Sequence, residues 1–437
     1  NINSDYENVS RNLKNCYMAF DCGDGENLYY TEFAPGSKDC VDSWSLIQSA
    51  QCYKSWGEKL YGCLYCQHCI STMESAFLYD CRNCEHCFMS SNLRNKKYYF
   101  YNEPLAQDEY EKRMRNLDLG DYGVFQKLCA DFEKLKVNAI HKNTLNERAI
   151  NVIGDWTIDS RDCFSVKFLT GCERVSYAQA VFGYRDSYDV VFGMSGERCY
   201  ELLAPGMAEH NFHVMFSASI NNSRDLEYCD SCRDCHDCFG CIGLAHRAFC
   251  IFNVQYSEDE YWRKIDEIKS AMLAAQEYGE FFLPGSSPFP YTASLATSYR
   301  GYDDLREAAH YGYPIEEIPT DVSSGVNPME VVNASALPMH INETDDTICE
   351  KAIYDEINGK HFRITPYEFA FYRKHNLPLP RLYPIARMNQ WRKNLDLRLR
   401  FFERMCDHCG KSMMTAYAPD RPEKNIYCEQ CYHEAIG

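Results

Sequence analysis

Residues 87–110 read CFMSSNLRNKKYYFYNEPLAQDEY, and residues 238–261 read CFGCIGLAHRAFCIFNVQYSEDEY. Cys87/Cys238, Phe88/Phe239, Leu93/Leu244, Asn102/Asn253 and Tyr110/Tyr261 share an offset of 151, so the chain is written twice. Upstream the offset is 147, which predicts four residues gained by the second copy near 212–226. Each copy also contains a step of 12: Cys16, Leu28, Cys40, Cys52, Leu64 and Ala76, followed by Cys87 and Tyr99. In the second copy the markers are Cys163, Val175, Ser187, Cys199 and Asn211, resuming at Leu226, Cys238 and Cys250. An aromatic usually follows the marker, as at Tyr17, Tyr53, Phe88, Phe164, Tyr188, Tyr200 and Phe239. Self-similarity at a fixed period marks units that bury their faces only against their neighbours in a stack. Within units such as 163–168 and 187–192, apolar residues alternate with polar ones, which predicts short strands with one apolar face. The expected fold is therefore mainly β: two tandem parallel β-solenoids with a 12-residue repeat, capping helices, and a C-terminal zinc-ribbon or treble-clef-like module. Twelve residues would make one coil, or half of a coil of 24.

The expected domains are a first solenoid over 1–102, capping helices and a linker over 103–150, and a second solenoid over 151–254. A capping helix follows over 255–282, then an extended connector over 283–345, a basic segment over 346–405 and a zinc ribbon over 406–437. Asp108-Glu109-Tyr110 and Asp259-Glu260-Tyr261 start helical stretches reaching about Val137 and Tyr278, with acidic residues at the positive helix end. Both are expected to cover open strand edges.

With 45% hydrophobic and 14% aromatic residues the chain has ample material for packed cores. No apolar run reaches the roughly 18 residues of a membrane span. It starts at Asn1 without Met inside a running repeat, which predicts further residues upstream. The 25 cysteines are odd in number and rich in Cys-x2-Cys pairs, which reads as reduced thiols and metal ligands in a cytoplasmic protein rather than a disulfide framework.

Cys406-x2-Cys409-x18-Cys428-x2-Cys431 carries the clearest chemistry. Two such knuckles match tetrahedral zinc coordination by thiolates, and four protein ligands make the metal structural. Three-residue ladders inside the arrays, Cys63-Cys66-Cys69, Cys81-Cys84-Cys87 and Cys229-Cys232-Cys235-Cys238-Cys241, are read first as stacked core thiols. Zinc or an iron–sulfur cluster are their alternatives.

Net charge is −18, which argues against nucleic-acid binding over the whole surface. Residues 371–405 nevertheless hold nine Lys or Arg against Asp396 and Glu403. Arg381, Arg387, Trp391, Arg392, Lys393, Arg398 and Arg400 are candidate contacts to RNA, since Arg and aromatic groups grip phosphates and stack on unpaired bases. The alternative is a positive face docking onto the chain's own acidic arrays or onto an acidic protein. Catalytic signatures are lacking: no Gly-x-Ser-x-Gly, phosphate loop, His-Glu-x2-His or dinucleotide fingerprint occurs. Asp155, Asp159, Asp186 and Asp189 with Arg161 and Arg185 would line a carbohydrate-active groove if they share a face.

Asn15-Cys16-Tyr17, Ser37-Lys38-Asp39-Cys40, Cys84-Glu85-His86-Cys87-Phe88, Asn376-Leu377-Pro378-Leu379-Pro380-Arg381 and Tyr417-Ala418-Pro419-Asp420-Arg421-Pro422 resemble a poorly characterised family of Cys-rich repeat proteins from reduced-genome bacteria. The resemblance covers most of the chain. It implies zinc-ribbon modules flanking the repeat arrays, and it implies that 346–405 is a degenerate zinc module. Family members carry Cys-Pro-x-Cys where this chain has Tyr383-Pro384-Ile385-Ala386, and Cys349 is followed by Ala352 where a second ligand would stand. The family supplies no activity to carry over. The expected function is a non-enzymatic zinc-binding scaffold for a macromolecular partner, RNA or a ribonucleoprotein through 371–405. The alternatives are a protein-binding component of an assembly and a carbohydrate-active enzyme.

Overall fold

The computed structural model describes residues 1–7, 10–203, 208–287, 289–293, 305–316, 330–390 and 399–437, and the backbone alone at 391–392. It is mainly β. The described helices are α1 (Gln107–Arg115), α2 (Tyr122–Asn138), α3 (Glu258–Ala274), α4 (Leu305–His310), α5 (Pro366–Lys374), α6 (Pro384–Arg392) and α7 (Glu429–Ile436). No helix among the described residues is long and apolar enough to cross a membrane.

Strands form two parallel ladders, one before α1 and one between α2 and α3. Partners stand 12 residues apart, as in Tyr17↔Tyr29, Ala76↔Phe88, Tyr188↔Tyr200 and Cys238↔Cys250. The pairing interval is thus 12 residues, not 24. The expected two-residue alternation is replaced by a period of three. Asn12, Asn15, Met18, Asp21, Asp24, Asn27 and Tyr30 all take φ between 50° and 55°, and the pattern continues through both ladders. Each left-handed residue turns the chain through a corner, so the sides are three residues long and one side chain in three points inward. Asn and Asp tolerate this conformation best among residues with a Cβ, and they occupy many corners. Their side chains then bond along the stack, as Asn12 does to Asp24 (2.8 Å) and Asn27 to Asp39 (2.7 Å).

Inward positions are small because the coil is narrow. Cys16, Ala19, Cys22, Leu28, Ala34 and Cys40 are at most 2% exposed, as are Cys163, Val166, Leu169, Cys172 and Val175. The corner geometry also aims backbone N–H groups into this core, where an unpaired donor is costly. Inward side chains satisfy them from one turn earlier: Cys16 N donates to Ser4 Oγ (3.1 Å), Cys87 N to Ser75 Oγ (3.0 Å), Cys229 N to Ser217 Oγ (3.1 Å) and Cys241 N to Cys229 Sγ (3.4 Å). Cys and Ser therefore serve where a purely aliphatic core would strand those groups.

The four-residue difference between copies divides in two. Tyr53 pairs with Leu64, a step of 11, whereas Tyr200 pairs with Met215, a step of 15. The first ladder is one residue short and the second three long at the corresponding turn. The expected insertion at 212–226 is corrected to this turn, which includes 204–207, outside the described residues. The inward marker after Cys52 is accordingly Cys63, not Leu64.

Both ladders end alike. Asn102 and Asn253, at φ 62° and 65°, reverse the chain into a short antiparallel pairing. Asn102 Oδ1 accepts from Ser91 N (2.8 Å), and Asn253 Oδ1 from Ile242 N (2.8 Å), replacing the missing next turn. Tyr110 of α1 and Tyr261 of α3 then bury themselves against the last turns. The helical stretch expected from Asp108 is in two parts: α1 stops at Arg115, and α2 starts with Asp121 capping Val124 N (2.8 Å). Rather than capping the end, α2 lies along the side of the first ladder.

The described residues 346–390 pack onto the first ladder. One core joins Tyr53, Phe77 and Phe88 of the first ladder to Phe125 and Phe132 of α2, Phe369 and Tyr372 of α5 and Met388 of α6. The expected connector also ends earlier, because Val331–Asn333 pairs with Ala352–Asp355 in a small sheet. Residues 294–304 and 317–329 of that connector lie outside the described residues.

Candidate functional site

The antiparallel pair Phe402–Met405 and Ser412–Thr415 presents the first knuckle at its turn. Gly410, at φ +72°, lets its N–H reach Cys406 O (2.9 Å) while Cys406 N donates to Lys411 O (2.8 Å). Ile426–Tyr427 then leads into α7, with Cys428 at the N-cap and Cys431 in the first turn. The four Sγ atoms of Cys406, Cys409, Cys428 and Cys431 lie within 4.8 Å of one another and can hold a metal ion. Cys409 and Cys428 Sγ are 3.8 Å apart. That equals the edge of about 3.8 Å of a tetrahedron built on 2.3 Å metal–sulfur bonds. Burial opposes ionisation of Cys406, but backbone N–H groups of Cys409, Cys428 and His408 outweigh it and lower the thiol to about 6. Four protein thiolates leave no open coordination position.

This module is tied to the rest of the chain. Ile426–Tyr427 pairs with His141–Lys142, Lys142 bonds Glu429 (2.7 Å), and Arg94 donates to Tyr432 Oη (2.6 Å) while pairing with Asp80.

The Cys ladders do not gather into metal sites. Among the described residues the C-terminal set is the only group of three or more metal-ligating side chains. Cys63, Cys66, Cys69, Cys81, Cys84 and Cys87 face the first core, and Cys229, Cys232, Cys235, Cys238 and Cys241 the second. Their thiols hydrogen-bond to backbone carbonyls, such as Cys63 to Thr72 O (3.3 Å) and Cys241 to Cys250 O (3.4 Å). In the same cores, burial pushes the Cys22 thiol up to about 12 and those of Cys172 and Cys199 to about 11.

The basic stretch is largely committed within the chain. Arg387, expected on the surface, is 2% exposed; it donates to Asp42 (2.8 Å) and Glu368 (3.3 Å) and lies over the Tyr30 ring. Arg381 stacks on Tyr122 at 3.8 Å and donates to Leu337 O, and Arg373 pairs with Asp346. Arg400 is exposed. Lys393 and Arg398, and the side chains of Trp391 and Arg392, lie outside the described residues. Nor do the four aspartates share a groove: Asp155 is buried and accepts from Leu145 N, Asp159 pairs with Arg148, Asp186 pairs with Arg174, and Asp189 stands at another corner.

Sequence reasoning missed the junction between ladders and C-terminal module, a cavity of about 170 Å³ lined by Trp56, His68, Tyr79, His141, Trp156 and Tyr417. His68 stacks on Trp156 at 5.0 Å, and His141 Nδ1 meets Tyr79 Oη at 3.0 Å. Burial lowers the pKa of both imidazoles, that of His68 well below its usual value. Unfolding lets each take up a proton near pH 6.5, so their stabilising share is full above that pH and is lost as pH falls. The expected cost is up to about 1.4 kcal/mol per pH unit for each. Thermal unfolding at pH 7.5 and 5.5 checks this: the midpoint falls with acid, and less so in His68→Phe. Compared with family models and with curated proteins, the chain matches none.

Proposed function

We propose that the chain is a non-enzymatic, zinc-stabilised scaffold of two tandem parallel β-solenoids that binds a protein partner within an assembly. The 12-residue parallel register and the corners at every third residue support the solenoid architecture. The all-thiolate tetrahedral set favours zinc over harder ions. One observation favours a protein partner over RNA: Arg373, Arg381 and Arg387 spend their charge on the chain's own carboxylates, carbonyls and rings. Dispersal of the aspartates weighs against carbohydrate chemistry. Fluorescence anisotropy with a labelled single-stranded RNA at 50 and 200 mM salt tests the choice. The proposal expects no saturable binding at either salt. Tight binding that weakens steeply with salt, and loses slope in Arg392→Ala with Lys393→Ala, would restore the RNA reading.

A further inference from the structure

The duplication allows the two ladders to be compared row by row. On the first, the side chains that follow the inward markers run from Tyr17 through Tyr29 and Val41 to Tyr53. Their counterparts at offset 147 are Phe164, Ser176, Tyr188 and Tyr200, again one paired row. The neighbouring corners correspond likewise: Tyr30 to Tyr177, and Asp42 to Asp189, all left-handed.

The rows differ in what covers them. Over the first, Tyr367 of α5 stacks on Tyr29 at 4.7 Å, while Arg387 of α6 sits 4.6 Å over the Tyr30 ring and donates to Asp42. Tyr30 and Asp42 are each 1% exposed as a result. Over the second, among the described residues, α3 and Tyr278 cover the later turns, at Phe216, Phe239 and Ile251. In the earlier turns the row is exposed: Phe164 and Tyr177 are each 46% exposed, Tyr188 50% and Tyr200 38%. A contiguous aromatic patch of this kind marks an interaction surface.

The patch is also acidic where its counterpart meets an arginine. Among the described residues Asp189 has no ion-pair partner, and a buried Glu201 Oε2 one turn later accepts no hydrogen bond. Burial raises both carboxyls, and Asp189 raises Glu201 further. A cation docking here would relieve that repulsion. Tyrosine rings framing an arginine are the usual anchors of protein interfaces.

We propose that this exposed face of the second ladder docks an amphipathic helix of another protein, whose arginine seats over Tyr177 and pairs with Asp189 as Arg387 does with Tyr30 and Asp42. The inference rests on the protein-binding reading above and names the partner's contact chemistry.

The test uses the full chain in its native cells, with the photo-cross-linking residue p-benzoylphenylalanine placed at Tyr188. A control carries it at Ile242, 64% exposed on another side of the ladder. The expected result is one partner protein captured from position 188 and not from 242, joined through a helical segment containing an arginine. Asp189→Lys lowers that capture roughly tenfold or more without moving the unfolding midpoint, and Arg→Asp in the partner's helix restores it. Capture of a second copy of this chain, or of its own segment, would overturn the inference, as would an Asp189→Lys variant that captures normally. A protein trapped at 242 alone would sink the face but leave the scaffold reading standing. No protein trapped at either position would sink both.

Discussion

A Cys406→Ser chain is expected to hold no metal, and residues 406–437 are expected to lose their fold. The module is a short hairpin and one helix turned around four sulfurs, and its own core is small, centred on Met413, Ile426 and the cysteines themselves. Bound metal supplies on the order of 10 kcal/mol of folding free energy to such a unit. Losing it frees Ile426–Tyr427 from His141–Lys142 and Tyr432 from Arg94, so damage reaches the junction between the ladders. Metal analysis of protein purified under reducing conditions is expected to give about one zinc per wild-type chain and none for Cys406→Ser. Limited proteolysis is expected to remove the C-terminal module from the variant alone. A wild-type chain without metal, or a variant that resists protease equally, would refute the structural role.

Arg387→Ala is expected to cost about 3–5 kcal/mol in urea unfolding, because it leaves two buried carboxylates uncompensated. Asp42 is 1% exposed and Glu368 0%, so neither can turn to water without lifting α5 and α6 from the first ladder. Burial pushes the Glu368 carboxyl up, and Arg387 is the main group holding it down. Removing the guanidinium therefore forces a proton onto Glu368 or opens the interface. Combining Arg387→Met with Asp42→Asn and Glu368→Gln leaves no buried charge and is expected to recover most of the loss. A loss below about 1 kcal/mol for the single variant would show that this cluster does not clamp the helical layer.

The duplication, the 12-residue step and the C-terminal cysteine set were all legible in the residues, because each repeats at a fixed interval. The period of three was harder to see. Asn and Asp mark many corners, but Tyr30, Phe77 and Phe216 take the same left-handed conformation, which local preference disfavours. What holds them there is the hydrogen bonding of turns above and below. The site of the length difference was misplaced because one ladder shortens and the other lengthens, and only pairing separates the two. Arg387 read as a surface arginine because its partner Asp42 lies 345 residues away, with no local trace of the contact. The Cys-x2-Cys ladders follow the same logic: their spacing of three is the inward period of the coil, and it resembles a metal motif only in one dimension.

Thiol counting tests the central claim, that turns of 12 residues stack around a core of inward sulfur. Where a bound metal ion protects the C-terminal cysteines, only Cys129 and Cys349 remain part-exposed, and the ladder cysteines are buried and free of disulfides. Reaction of native, metal-loaded protein with an aromatic disulfide reagent is expected to release about two equivalents quickly, and all 25 only in guanidinium with chelator. Rapid native reaction of ten or more thiols, or far fewer than 25 after unfolding without reductant, would contradict it.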